Sequence, residues 1–144
     1  MDELLVVRSL GRSGWFPGRF VEVDGDLAAL RREGCEIFEE LTDFFREFSG
    51  LTIHFERNGY PDELWFSGIR ASEFMPMGWV EDYSRRLGMT LAPIGETHGG
   101  YLTVLIGEDG SFYGGFDDEF GSLGASVVEM MDNIMHTKGF IERF

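Results

Sequence analysis

The chain has 144 residues, 43% hydrophobic and 15% aromatic, with no internal repeat, low-complexity tract or Pro/Ser linker, which predicts one globular domain over residues 1–144 rather than a disordered segment. Twelve basic against 26 acidic residues leave a formal charge of −14, a field that repels nucleic acid and anionic membranes and speeds encounter with basic proteins. No apolar run approaches the roughly 20 residues that span a bilayer. The opening Met1-Asp2-Glu3 lacks the basic region of a secretory signal, and a single cysteine, Cys35, excludes an internal disulfide, so the expected compartment is the cytoplasm.

In chain order, Leu4, Leu5, Val7 and Leu10 predict a short helix over Met1–Leu10 that Gly11 and Gly14 end. Trp15-Phe16-Pro17-Gly18-Arg19 follows as a loop whose aromatic pair anchors the N-terminal segment on the core. Asp24 or Asp26 is suited to N-cap a helix through Leu30 that stops at Gly34. The clearest element is the helix Glu36–Phe48. Ile37, Leu41, Phe44 and Phe48 recur there at helical spacing, and Ser49-Gly50 closes it. The period then changes to two, with Leu51, Ile53 and Phe55 on one face of a strand and Thr52, His54 and Glu56 on the other.

Asn58-Gly59-Tyr60-Pro61 reads as a turn and Leu64-Trp65-Phe66 as the next strand. Trp79–Leu87 reads as a helix ended by Gly88. Leu91–Ile94, Tyr101–Ile106 and Ser111–Phe116 complete the strands, the last two forming a hairpin about Gly107-Glu108-Asp109-Gly110. Asp117-Asp118-Glu119 stands where the chain is expected to leave the sheet. Ser126-Val127-Val128-Glu129 has the reciprocal capping pattern of a last helix, with Val127, Met131 and Ile134 on its apolar stripe. The order predicts an α+β fold: N-terminal helices, a central mainly antiparallel sheet and a C-terminal helix.

Chemistry-bearing residues are scarce. His54, His98 and His136 lie far apart, and no His-x-x-x-His or Cys–His spacing writes a zinc site. His98, before Gly99-Gly100, is the histidine to watch. Cys35 has no base signature near it, and no nucleophile elbow, phosphate loop or dinucleotide fingerprint occurs. Asp109, Asp117, Asp118 and Glu119 do not follow the offsets of a calcium loop. No catalytic, cofactor-binding or metal-ligating residue is therefore assigned. The acidic run is either a solvated hairpin end or a docking surface. Glu36, Glu40, Asp43 and Glu47 form a second acidic stripe, read as the wet side of a helix. Trp15, Trp65, Trp79, Tyr60 and Tyr113 are the aromatic residues most able to anchor an interface, with Tyr60 placed in an exposed turn.

Several ordered motifs suggest a family. Gly14-Trp15-Phe16-Pro17-Gly18-Arg19 resembles the GW-x-PGR opening of the third SUKH subfamily of bacterial immunity proteins. Phe44–Leu51 is similar to its helix-ending L-x-x-F-GGL signal, with Ser49 in place of the usual first glycine. Ile106–Gly110, Tyr113-Gly114 and Phe116-Asp117-Asp118 resemble its IGEDG-x-VYG-x-x-DD hairpin, and Leu123-Gly124 also matches. The resemblance covers about Leu4 to Gly139. It implies a SUKH-like fold and a non-enzymatic protein that neutralises a cognate polymorphic toxin, often a nuclease or nucleic-acid deaminase, by direct binding.

A basic toxin surface would agree with the charge. Tyr60, Asp117, Asp118 and Glu119 are then the expected toxin contacts, with no cofactor, nucleic acid or membrane as partner. The alternative is a regulatory interaction module without a toxin, as in fungal relatives of the fold.

Overall fold

The computed structural model describes residues 3–144. Three helices lead, α1 (Glu3–Arg12), α2 (Asp24–Arg32) and α3 (Glu39–Phe48), followed by the hairpin β1 (Thr52–Arg57) and β2 (Tyr60–Phe66). Two further helices, α4 (Gly68–Phe74) and α5 (Met77–Leu87), precede β3 (Leu91–Thr97), β4 (Leu102–Gly107), β5 (Phe112–Phe116) and β6 (Glu119–Gly124). Helix α6 (Val127–Met135) comes last. The strands form one antiparallel meander in the order β1-β2-β3-β4-β5-β6. The α+β class is as predicted.

The N-terminal residues Met1 and Asp2 of the first predicted helix lie outside the described residues. Gly11 does not end α1, which runs on to Arg12 and stops before Gly14, whose φ of 106° suits glycine. Neither Asp24 nor Asp26 caps α2. Its N-cap is Val23, and the free amides of Val23 and Asp24 are taken by Glu22 Oε1 at 2.9 and 3.0 Å. Helix α3 begins at Glu39, because Phe38 is still extended at φ −132° and ψ 163°.

Asn58 and Gly59 alone make the first hairpin turn, with φ of 54° and 82°, the two positive values that match the twist of the flanking strands. Tyr60 and Pro61, predicted in the turn, instead open β2 opposite Arg57 and Glu56. Strand β3 extends beyond Ile94 to Thr97 through an irregularity between Pro93 and Gly95. Helix α5 starts at Met77 rather than Trp79. Ser126 accepts from the Glu129 amide at 3.1 Å, as its capping pattern predicts.

Two elements were not anticipated. Helix α4 is capped by Ser67, whose hydroxyl accepts from the Arg70 amide at 3.1 Å. At Asp117-Asp118 the chain does not leave the sheet but turns back into β6, with Phe116 paired to Glu119. Strand β6, built on Gly121 and Gly124, carries little alternation to announce it.

One face of the sheet carries the main core. Val6 and Leu10 of α1, Phe44, Phe45 and Phe48 of α3, and Met130 and Ile134 of α6 pack over Ile53, Phe66, Ile94, Val104 and Ile106. Phe44 centres this core, its ring 5.0 Å from Phe48 and Phe66 and 5.6 Å from Phe112. Each such buried ring contributes roughly 1.5–3 kcal/mol. Trp15 joins it, its indole N–H donating to Glu47 Oε2 at 2.9 Å, whereas Phe16 remains 57% exposed and anchors nothing.

On the opposite face a smaller core joins Met75, Val80 and Tyr83 to Leu91, Leu105, Tyr113 and Phe120. The Tyr83 ring lies over Gly115, where a Cβ would sit 2.4 Å from Tyr83 Cε2. Gly115 admits the ring.

The terminal strands of the meander differ. The outer side of β6 is occupied by the C-terminal segment: Ser122 N donates to Glu142 O at 2.8 Å, Ile141 N to Ser122 O at 2.9 Å and Phe144 N to Phe120 O at 2.9 Å. Among the described residues no strand pairs with the outer side of β1. No helix among them is long and apolar enough to cross a membrane.

Candidate protein-interaction surface

The register places three connections at one end of the sheet: the 58–59 turn, the His98–Gly100 3₁₀ turn and the 117–118 turn. Tyr60, Asp117, Asp118 and Glu119 therefore share that end, but Tyr60 stands three strands away from the acidic turn. Tyr60 is 75% exposed beside the hairpin turn. Asp117 adopts φ 49°, a left-handed conformation that aspartate tolerates better than most residues.

The acidic turn is fastened by its backbone. The Tyr83 hydroxyl donates to the Asp117 carbonyl, and Arg86 Nη1 donates to the Asp118 carbonyl at 2.7 Å. The carboxylates of Asp117 and Asp118 are left exposed at a fixed place beside α5. Glu119 faces a different situation: it lies in β6 and its carboxylate accepts from Arg143.

Between this turn and helix α4 the second face of the sheet is indented. A depression of about 270 Å³ is floored by Met75, Thr103 and Gly115 and bordered by Phe74, Trp79 and Tyr101, with the acidic residues Glu96 and Asp117 also in its lining. Phe74, Trp79 and Tyr101 are 59%, 37% and 64% exposed. The rings are held in place: Phe74 lies edge-on to Trp65, Trp79 stacks on Tyr83, and Tyr101 packs 4.6 Å from Phe116. Burial pushes the Glu96 carboxyl above its ordinary value, opposed by the nearby charge of Arg70. Arg70 itself lies over the Trp65 ring, 3.9 Å from its centroid.

At the other end of the sheet, a cleft of about 520 Å³ opens between the segment after α2, helix α5 and the 107–110 turn. Cys35, Met77, Val80 and Leu91 form its apolar lining, with Glu36, Glu81 and Glu108 among its polar groups. Thr90 joins two of these carboxylates, donating its hydroxyl to Glu36 Oε2 at 3.2 Å and its amide to Glu108 Oε1 at 3.1 Å. The expected acidic stripe is not one helix face, because Glu36 precedes α3. Glu47 holds Trp15, Asp43 lies 3.5 Å from Arg46, and Glu36 turns to this cleft. Asp109 is committed to its own turn, accepting from the Ser111 amide and the Tyr113 hydroxyl, both at 3.0 Å.

The candidate nucleophile and base are far from poised. Cys35 is buried and its thiol is pushed up to about 12 by burial and by Glu33, the opposite of an activated thiolate. His98 is held below its ordinary value by burial, with Nε2 3.4 Å from the Ile134 carbonyl. His136 pairs with Asp132 at 3.1 Å, and His54 stands 3.9 Å from Glu63. Among the described residues no group of three or more His, Cys, Asp or Glu could hold a metal ion.

Of the proposed aromatic anchors, Trp65 and Tyr113 are buried and Trp15 is tied to Glu47, leaving Trp79 and Tyr60 at the surface. Sequence reasoning missed Phe74, Glu96 and Tyr101. Phe74 was legible in principle: Ser67 before Ala71 and Met75, with Pro76 beyond, is a capped short helix.

The motifs quoted from the sequence acquire roles in this geometry. Arg19 donates to the Glu47 carbonyl at 2.5 Å and to the Ser49 carbonyl at 2.8 Å, so the opening motif clamps the end of α3. No curated protein and no solved structure matches the chain significantly. A family model described as SUKH-3 immunity protein matches residues 4–137, which takes in the Trp15–Arg19 clamp, the α3 terminus and the whole sheet. The chain therefore belongs to the SUKH-3 immunity protein family.

Proposed function

We propose that this chain is a cytoplasmic immunity protein that neutralises a toxin acting on nucleic acid, a nuclease or a deaminase, by non-covalent occlusion. The observation that carries the toxin class is charge. A formal charge of −14 is suited to a surface built to hold phosphate, which is basic and which an acidic protein covers and discharges. The turn at Asp117 and Asp118, fastened through its carbonyls, presents two acidic side chains without an ordering cost for the backbone on binding. Tyr60, Asp117, Asp118 and Glu119 are proposed contacts, with the acids steering association and aromatic side chains slowing dissociation.

The test is growth rescue. A toxin domain found encoded near this gene is expressed in a bacterial host with and without the chain, and nucleic-acid damage is scored in both. Restored growth with intact nucleic acid is the expected result. Unrelieved toxicity at matched expression would overturn the reading.

A further inference from the structure

We infer that the depression bordered by Phe74, Trp79 and Tyr101 receives an arginine side chain from a protein partner, with Glu96 and Asp117 as its counter-charges. The inference rests on the immunity reading only for the source of that arginine.

Three observations on this face converge. Its rings are exposed yet each packs on a neighbour, so they offer aromatic surface without losing much freedom on binding. Two acidic residues line the same space, and neither Glu96 nor Asp117 has an ion-pair partner within 4.0 Å among the described residues. A ring of aromatic faces with a carboxylate beside it is the arrangement that attracts a cation.

The third observation is Arg70. Its guanidinium already lies 3.9 Å from the centroid of Trp65 in the adjoining hollow, which also reaches Glu96. The face thus binds one guanidinium of its own by this chemistry, while Phe74, Trp79 and Tyr101 carry no cation among the described residues.

Size and charge narrow the occupant. At about 270 Å³ the depression has room for an inserted side chain. Phosphate groups are repelled by the two carboxylates. A second copy of this chain would bring another −14 charge to the contact. Arginine fits better than lysine because its planar, weakly hydrated guanidinium stacks on rings while its edge meets carboxylates.

The experiment titrates the ¹⁵N-labelled full chain with Nα-acetyl-arginine amide and, separately, with the neutral citrulline analogue. The arginine probe is expected to move the amide signals of Glu96, Gly100, Tyr101, Gly115 and Asp117 and the Trp79 indole signal, and citrulline is not. Glu96→Gln and Tyr101→Ala, each checked for an unchanged fold by its spectrum, are expected to weaken the probe about fivefold or more. Equal response to citrulline, shifts centred elsewhere, or undiminished binding by both variants would overturn the inference. Movement of the same signals with protein concentration alone would assign the depression to a second copy and also overturn it.

The adjacent-gene toxin domain separates the two proposals. If both variants bind and neutralise it as the parent chain does, the arginine pocket fails and the immunity reading stands. If the probe behaves as expected but the parent chain ignores the toxin, the pocket stands and the immunity reading fails.

Discussion

The buried carboxylate of Asp26 accepts a 2.5 Å hydrogen bond from the hydroxyl of Ser49. Its other oxygen accepts from the amides of Gly68 at 2.8 Å and Ile69 at 3.1 Å. One side chain of α2 therefore links the end of α3 to the free amides that open α4. It also gives a reason for serine where the family resemblance favours glycine: the hydroxyl supplies a donor to a buried anion. Ser49→Gly is expected to cost about 1–2 kcal/mol, and Asp26→Ala, which strands three donors, about 2–4 kcal/mol. Urea denaturation followed by tryptophan fluorescence measures both.

Gly115 and Tyr83 test the packing of the second face. A Cβ at Gly115 would lie 2.4 Å from Tyr83 Cε2 and 2.7 Å from Cζ. Gly115→Ala is expected to destabilise by roughly 1–3 kcal/mol through overpacking. Because Tyr83 also holds the 117–118 turn, the variant should increase hydrogen exchange at Asp117 and Asp118. A double-mutant cycle with Tyr83→Ala should be clearly non-additive.

Stability should decline in alkali. Burial pushes the Cys35 thiol up from 9.0 to about 12, and the phenols of Tyr83 and Tyr113 up from 10.0 to about 12. A group raised on folding holds its proton longer in the native state, so its stabilisation is complete below the unfolded pKa. It is lost as pH rises from that value through the folded one. Urea midpoints should hold to about pH 8.5 and fall between about pH 9 and 12. Cys35→Ala should remove the earliest part of that fall, and alkylation of the native thiol should be far slower than of the denatured one.

The acidic turn is expected to act on association rate rather than on stability. Neutralising Asp117, Asp118 and Glu119 together should slow binding of the toxin domain about tenfold at low salt and flatten its salt dependence. Glu119→Gln alone also loses Arg143, but that pair is exposed, and the expected stability change is below about 1 kcal/mol. Stopped-flow association across a salt series checks the first claim and thermal melting the second. An unchanged rate and salt slope in the triple variant would remove the turn from the docking surface.

Periodicity made α3, β1 and α6 legible, because each buries one apolar face, and the turn residues Gly107–Gly110 between β-rich segments announced the hairpin β4–β5, whose first strand is buried on both faces. Strand β6 escaped for the opposite reason. Gly121 and Gly124 leave it few side chains to alternate, and its outer side is completed by residues 141–144, which no local pattern announces. Asp26 illustrates a different limit: an acid at the start of a helix is normally its cap, whereas here it accepts from the first amide of another helix 42 residues on. At the candidate surface, Asp117 and Trp79 were visible as residue types. Glu96 and Tyr101 were not, because their meeting with Phe74 depends on strand register and on a helix that periodicity did not reveal.

The central claim is neutralisation by direct binding. Its most direct test is affinity capture of the tagged full-length chain from its native host, with the bound proteins identified by mass spectrometry and the complex then reconstituted from purified parts. The account predicts recovery of the toxin domain encoded next to this gene, with a basic surface, and a stoichiometric complex that silences its action on nucleic acid. A purified toxin domain that stays fully active in the presence of excess chain would contradict it.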